Sequence, residues 1–420
     1  MQKKISFRAD QALDCEQVKS LRQFARRSLA VGLELETEFE TDVPESRLKE
    51  AFRTQGSYTF VNDDGGVVRF YKDCSLSMGW ELVLVGTSES YSDYHARLAS
   101  IEKKLSSLGA KITSNCGAHA SLVLRQNRRI PGVVIKNFYQ LFRMNADALL
   151  WLVSATKKRQ RRRNAEKDWI VRERLKQFAN PVLKYTPVDK TLKHVKKGCT
   201  KYKALNMDKL RYISPGEDCG EMFIEIRIPD RHQVSHATTA LAIMWQAMFL
   251  KAVLLSEFGL ITLEDGQYEA TKVMVERVSN GERLTPEEKK YLAERSAEFL
   301  ALIRPELVAL DAACISVLEE LARKPISERY RGRTCNKDEQ IEQEFEKLVC
   351  TRQESSMGKK LREMMALGGI TAENSSEWKK LAATELGVHP RTVEKKIAAL
   401  NRGFSKCYFD SSAGAFVLAC

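Results

Sequence analysis

VGLELETEF, residues 31–39, decides how the rest of the chain is read. Val31, Leu33 and Leu35 alternate with Gly32, Glu34 and Glu36, and Glu38 continues the polar series. That two-residue period belongs to a β-strand, and it sets the glutamates on one face at about 7 Å intervals. Three further segments place an acid or a histidine among apolar residues: GWELVLV (79–85), GAHASLVL (117–124) and MFIEIRIPD (222–230). In the last, Ile224, Ile226 and Ile228 take one face, and Glu225 and Arg227 the other. One glutamate on a strand usually faces water. Three in succession beside an apolar face repel one another and, once enclosed, are costly to keep charged unless a cation sits among them. The expectation is a cation site.

The chain has 420 residues, enough for two or three domains with separate cores. A formal charge of +13 and a pI near 9.2 favour a polyanionic partner or an anionic substrate, and say nothing about fold. The ten cysteines form no CxxC pair and no Cys/His zinc spacing, so reduced thiols and a cytoplasmic location are expected. The opening MQKKISFRADQALDC lacks the apolar core of a signal peptide. The most apolar stretch, Ala237 to Leu260, is interrupted by Gln246, Lys251 and Glu257. A membrane span needs about 20 nearly unbroken apolar residues. A buried helix packed on a sheet is the expectation, with no membrane partner.

Residues 1–262 mix short strand-like runs with helices, the pattern of an α+β domain. A helical connector over 263–340 follows, with one or two long helices over 285–325. Thr285 can cap the first of these and Pro286 suits its first turn. The polar run from Arg323 to Asp338 reads as a linker. Residues 341–420 form the third part. In SEWKKLAATELGVHPRTVEKKIAAL (376–400), Ala383, Gly387 and Val393 keep the spacing of a helix-turn-helix. FSKCYFD (404–410), a turn at 411–414 and AFVLAC (415–420) then read as a hairpin, the wing of a winged helix. Arg391, Lys395, Lys396 and, near the wing, Lys406 are the candidate DNA contacts; the other reading is a helical pair that binds protein.

Five motifs occur in a fixed order: Gly32-x-Glu34-x-Glu36; Asp73-x-Ser75 before Trp80-Glu81; Asn115-x-Gly117-x-His119; Lys201-Tyr202 before Leu205-Asn206; and Ile224-Glu225-Ile226-Arg227. The set resembles the amidoligases of the glutamine synthetase and glutamate–cysteine ligase superfamily, over residues 30–230. The resemblance implies a glutamine synthetase-like curved antiparallel sheet with ligands on its concave face. It also implies ATP, Mg²⁺ or Mn²⁺ (two or three ions), and an amine that displaces phosphate from an activated carboxylate. By similarity, Glu34, His119 and Glu225 would hold one metal near the ATP phosphates. Glu36 and Glu81 would hold another nearer the carboxylate, with Glu81 also counted among the catalytic groups. Arg227 and Arg143 would neutralise the transferred phosphoryl group. Tyr202 and Asn206 would orient substrate or support the last strand, and Asp73 and Ser75 form either a turn or a substrate contact. Glu38 is a spare ligand or a solvated strand end.

Oxygen-rich ligation suits Mg²⁺ or Mn²⁺, and a planar guanidinium suits phosphoryl oxygens, without any family name. The chain also departs from the family. A GxHxH pattern is common there, whereas Ala120-Ser121 follow His119 here. His232 and His236 are one helical turn apart but lack an HExxH glutamate, so they read as part of a helix start. The run Lys157–Arg163 is either a solvated face or a patch that steers an anion. The leading expectation is an ATP-dependent carboxylate–amine ligase with an appended DNA-binding module. Its substrates would be a carboxylate and an amine, one of them open to being a peptide or protein end, and a homo-oligomer is compatible. The alternatives are a DNA-binding regulator that senses a metabolite or nucleotide, and phosphoryl transfer without amide formation.

Overall fold

The computed structural model describes residues 5–52, 59–61, 67–73, 76, 78–87, 90–113, 116–124, 130–154, 204–206, 222–262, 271, 273–278, 282–329, 338–349, 407–410 and 415–418. Ser75, Asn115, the basic run 157–163, Tyr202 and the 376–400 segment with Arg391, Lys395 and Lys396 lie outside them, as does Lys406. The chain divides into two compact units, 1–345 and 346–420.

The first unit is α+β, built on an antiparallel sheet of β2 (Leu29–Phe39), β3 (Thr59–Val61), β4 (Val67–Asp73), β5 (Gly79–Thr87), β6 (Ala110–Lys111), β7 (Ala118–Leu124), β8 (Leu205–Asn206) and β9 (Met222–Ile226). The spatial order is β3-β4-β5-β2-β7-β9-β8, with β6 added at the end of β2. Every pair is antiparallel. A two-stranded pair, β1 (Ser6–Arg8) with β10 (Leu260–Thr262), lies apart from it.

Alternation sorts the main sheet into two faces. One carries Leu33, Leu35, Phe70, Leu82, Leu84, Ala118, Ala120, Leu122, Ile224 and Ile226, all buried. Cross-strand registers such as Leu35 with both Leu82 and Ala118 make this face continuous. Burying each such Leu or Ile contributes about 1.5–3 kcal/mol before entropy is subtracted.

The helix that covers this face is α6 (Ser235–Leu255), against which α1 (Cys15–Ser28), α3 (Tyr91–Ser107), α4 (Gly132–Met144), α7 (Pro286–Leu310) and α8 (Cys314–Arg323) pack. A helix surrounded on all sides must be apolar all round. In α6 every residue but Gln246, Lys251 and Leu254 is buried. It is long and apolar enough to cross a membrane, yet it is the central helix of the helical layer. Gln246 satisfies its amide on the Leu29 carbonyl, 3.3 Å away at the start of β2.

α7 begins as its sequence predicts. The Thr285 hydroxyl accepts the Glu288 N–H (3.3 Å), and the Glu288 carboxylate accepts the Thr285 N–H (2.8 Å), a reciprocal cap with Pro286 in the first turn. The polar run expected as a linker instead starts with a short packed helix, α9 (Ile326–Arg329), in which Arg329 is buried and pairs with Glu320 and Glu344. In the second unit, β11 (Cys407–Asp410) and β12 (Ala415–Leu418) form the antiparallel hairpin read from 404–420.

Candidate functional site

The opposite face of the main sheet carries the acids. Strand register sets Glu81 beside Glu36, Glu34 beside His119, and Ser121 beside Glu225, with Asn206 on the far side of Glu225. Neighbouring strands are about 4.8 Å apart, so two-residue steps along four strands converge on one patch. His119 lies at its centre. Its Nδ1 is 3.5 Å from Glu34 Oε2 and 3.5 Å from Glu225 Oε1, and its Nε2 is 3.7 Å from Glu36 Oε1. Glu34, His119 and Glu225 each offer a ligand atom within 4.8 Å of the others.

These side chains are mostly enclosed: His119 is 3 % exposed and Glu225 5 %. Glu36 and Glu81 face each other directly, an arrangement that is destabilising for like charges. The effect appears on Glu81, whose pKa is pushed up to about 7 by burial first and then by the Glu34, Glu36, Asp73 and Glu225 carboxylates. Asp73 closes β4 on this same side, two residues beyond Tyr71, the partner of Glu81. Glu38, opposite Gly79 and Lys111, is buried, so it is not a solvated strand end.

Among the described residues, two groups hold Glu225. Asn206 Nδ2 donates to its Oε2 (2.6 Å), and Arg227 Nη1 donates to its Oε1. Asn206 thus reaches across from β8 to the carboxylate of β9. Glu36 is anchored by a contact that no side-chain pattern announces: its Oε2 accepts the Gly117 N–H (2.5 Å), while its own N–H reaches the Gly117 carbonyl (3.0 Å). The glycine of GAH is thus part of the site. Ser121 was also missed as a site-facing group, although its position two residues beyond His119 puts it on the same face. Its hydroxyl is buried and, among the described residues, has no hydrogen-bond partner.

Arg143 is not among the residues the strands gather. It is buried in the last turn of α4, where Nη1 donates to Gln140 (3.4 Å), and α4 packs on α6 and β10. The two helix-start histidines part company. His232 is buried and its pKa is lowered to about 3, by burial first and then by Arg231. Its Nδ1 accepts the Val234 N–H (3.2 Å) just ahead of α6, while His236 turns to Tyr91 and His95.

Chemically, the patch is a hard-donor cradle of three carboxylates around one imidazole, with Glu81 facing Glu36 and a guanidinium at its edge. Such a donor set suits a divalent cation of the Mg²⁺ or Mn²⁺ kind. The upward push on Glu81 is the condition that a cation would relieve.

No protein-family model matches the chain, and no curated protein matches it. Among solved structures, a bifunctional glutathione synthetase from Pasteurella multocida is similar at 12% identity and a TM-score of 0.41. That match covers 81% of this chain and 55% of the synthetase, so the chain spans about half the length of that protein. The complex of prokaryotic ubiquitin-like protein Pup with its ligase PafA is similar at 9% identity and a TM-score of 0.33, over 89% of this chain and 81% of that one. Likeness this distant carries no argument about activity.

Proposed function

We propose that the chain is an ATP- and Mg²⁺-dependent carboxylate–amine ligase, which forms an amide or peptide bond by way of an acyl phosphate. The observation that carries this reading is the gathering of Glu34, Glu36 and Glu225 around His119, with Glu81 facing Glu36 from the next strand. A protein that only sensed a metabolite would have no need to keep so many mutually repelling acids together. Glu34, His119 and Glu225 are assigned to one ion and Glu36 with Glu81 to a second. When bound, such ions supply charge neutralisation for ATP and for the carboxylate that attacks it. Arg227 lies within reach of the same patch, where it can share its guanidinium between Glu225 and a phosphoryl oxygen. Asn206 and the Gly117 N–H orient the Glu225 and Glu36 carboxylates.

The division of labour in this reading is catalysis from 1–262, a helical connector over 263–340, and a DNA-binding winged helix over 341–420. Its support there is the helix-turn-helix spacing of 376–400 together with the 407–418 hairpin. Binding by Arg391, Lys395, Lys396 and Lys406 should weaken steeply with salt.

The experiment is an ADP-release assay on the full chain with ATP and Mg²⁺, supplying carboxylic acids and amines separately and together. Hydroxylamine serves as a universal amine that converts an acyl phosphate to a hydroxamate. Release that needs both components supports a ligase. Release with a guanidino compound and no carboxylate makes the chain a phosphotransferase. ATP binding without release under every pairing makes it a sensor.

A further inference from the structure

A second cluster of ligand-type side chains lies among the helices and takes no part in the reading above. His95 on α3, His236 in the first turn of α6 and Glu342 on the 338–349 helix each offer a ligand atom within 4.8 Å of the others. We propose that these three residues form a second metal site, selective for a borderline divalent transition ion of the zinc type and structural in role.

The donor set differs in kind from that on the sheet. Two imidazoles and one carboxylate suit Zn²⁺, whereas Mg²⁺ prefers oxygen throughout. The supporting contacts are those a zinc histidine needs. Tyr91 Oη lies 2.7 Å from His236 Nδ1, a hydrogen bond that fixes the ring and makes Nε2 the coordinating nitrogen. Glu342 is positioned twice over: its Oε1 is 2.9 Å from His95 Nε2, and its two oxygens lie 3.3 and 3.2 Å from the His236 N–H. A carboxylate at the first turn of α6 is also favoured by the helix dipole.

The two imidazoles now stack, with ring centroids 3.6 Å apart and planes inclined by 11°. Parallel rings cannot both direct a lone pair at one ion, so binding requires the stack to open. His236 is fully enclosed and held by Tyr91, while the His95 and Glu342 side chains keep 19% and 25% of their exposure. His95 is therefore the ring that swings, and water supplies the fourth position. The ion would tie α3, the start of α6 and the 338–349 helix together, three segments separated by more than a hundred residues in sequence.

The test uses Co²⁺ as a coloured substitute for Zn²⁺, on full-length protein carrying His119→Asn so that the sheet cluster loses its own imidazole. The expected result is one equivalent of tightly bound Co²⁺ with the intense visible bands of a four-coordinate site, displaced by Zn²⁺ but not by Mg²⁺. Adding His95→Gln or Glu342→Gln should remove those bands, and Tyr91→Phe should weaken binding by about 10–100-fold, the usual cost of losing an outer-shell partner. Unchanged bands in both His95→Gln and Glu342→Gln, with far-UV circular dichroism confirming folded protein, would overturn the proposal. A readout independent of those variants is the histidine ring NMR spectrum of the His119→Asn protein. Two ring signals should move with the first equivalent of Zn²⁺, and a spectrum that does not move overturns the proposal equally.

Discussion

The sheet and the helical layer arrange their enclosed carboxylates differently. In the helical layer each has a cation. Glu102 pairs with Arg231 at 2.7 Å, Glu306 with Arg22 at 3.0 Å and Lys251 at 3.7 Å, and Asp147 with Arg295 at 3.5 Å. On the sheet, Glu34, Glu36 and Glu225 crowd one histidine, Glu81 faces Glu36, and among the described residues Arg227 at the rim forms its ion pair with Glu225. Paired charges hold elements together. Like charges gathered on one sheet face repel, and a bound cation would relieve that cost, which is why the sheet face is read as the functional one.

The sharpest consequence on the helical side concerns Glu102. Its partner Arg231 is fully enclosed, and burial pushes the Glu102 carboxyl up while Arg231 opposes that push. Glu102→Ala leaves a buried guanidinium without its anion, which costs about 3–5 kcal/mol. Urea unfolding of the first unit within the full chain measures it. A loss under 1 kcal/mol would place this pair with weak surface bridges and erase the contrast.

On the sheet the same kind of deletion should spare the fold and remove the chemistry. Glu36→Ala and Glu225→Ala are each expected to lower ATP turnover by about 100-fold or more, roughly 3 kcal/mol of transition-state stabilisation. Circular dichroism and ADP release in saturating Mg²⁺ check the two halves of that statement. Turnover that survives in either variant takes that glutamate out of the site.

Arg227→Lys is subtler. Lysine keeps the charge beside Glu225 but not the fork, and a lost charge-assisted hydrogen bond is worth about 1.5–3 kcal/mol, or roughly 10–100-fold in rate. If kcat stays near normal, the arginine serves Glu225 alone and the rim of the sheet behaves like the helical layer.

How much of this was legible in sequence follows the same divide. Alternation in 31–39 and 222–228 assigned both faces of β2 and β9, because a strand's side-chain period is local and independent of its neighbours. The Thr285 cap was legible for the same reason, since donor and acceptor are three residues apart. Glu102 with Arg231, and His95 with His236 and Glu342, were not. Those partners come from α3, from the start of α6 and the residues just before it, and from the 338–349 helix, and only tertiary packing brings them together. The Gly117 contact to Glu36 escaped because a backbone N–H has no sequence signature. The 376–400 segment, read from its spacing as a helix-turn-helix, falls outside the described residues, while the hairpin read beyond it is present as Cys407–Asp410 paired with Ala415–Leu418.

The smallest predicted effect tests the premise most directly, because it concerns the sign of one carboxylate's contribution. Glu81 in the folded chain has a pKa of about 7, against an ordinary value of 4.5. Between those values the folded state holds a proton that the unfolded state has released. The stability associated with this group is therefore fully present below about pH 4 and is lost as pH rises through about 7. In EDTA, the wild-type chain should melt lower at pH 8 than at pH 6, and Glu81→Gln, which is neutral at both, should reduce that difference by a few degrees at most. Mg²⁺ should raise the wild-type melting temperature more at pH 8 than at pH 6, since the ion takes the place of the proton, and should do so less in Glu81→Gln. A Glu81→Gln protein that melts below wild type at pH 8 in EDTA would mean that the carboxylate already has a cation of its own. The sheet would then be paired like the helices, and the case for a metal-bearing face would fail at its centre.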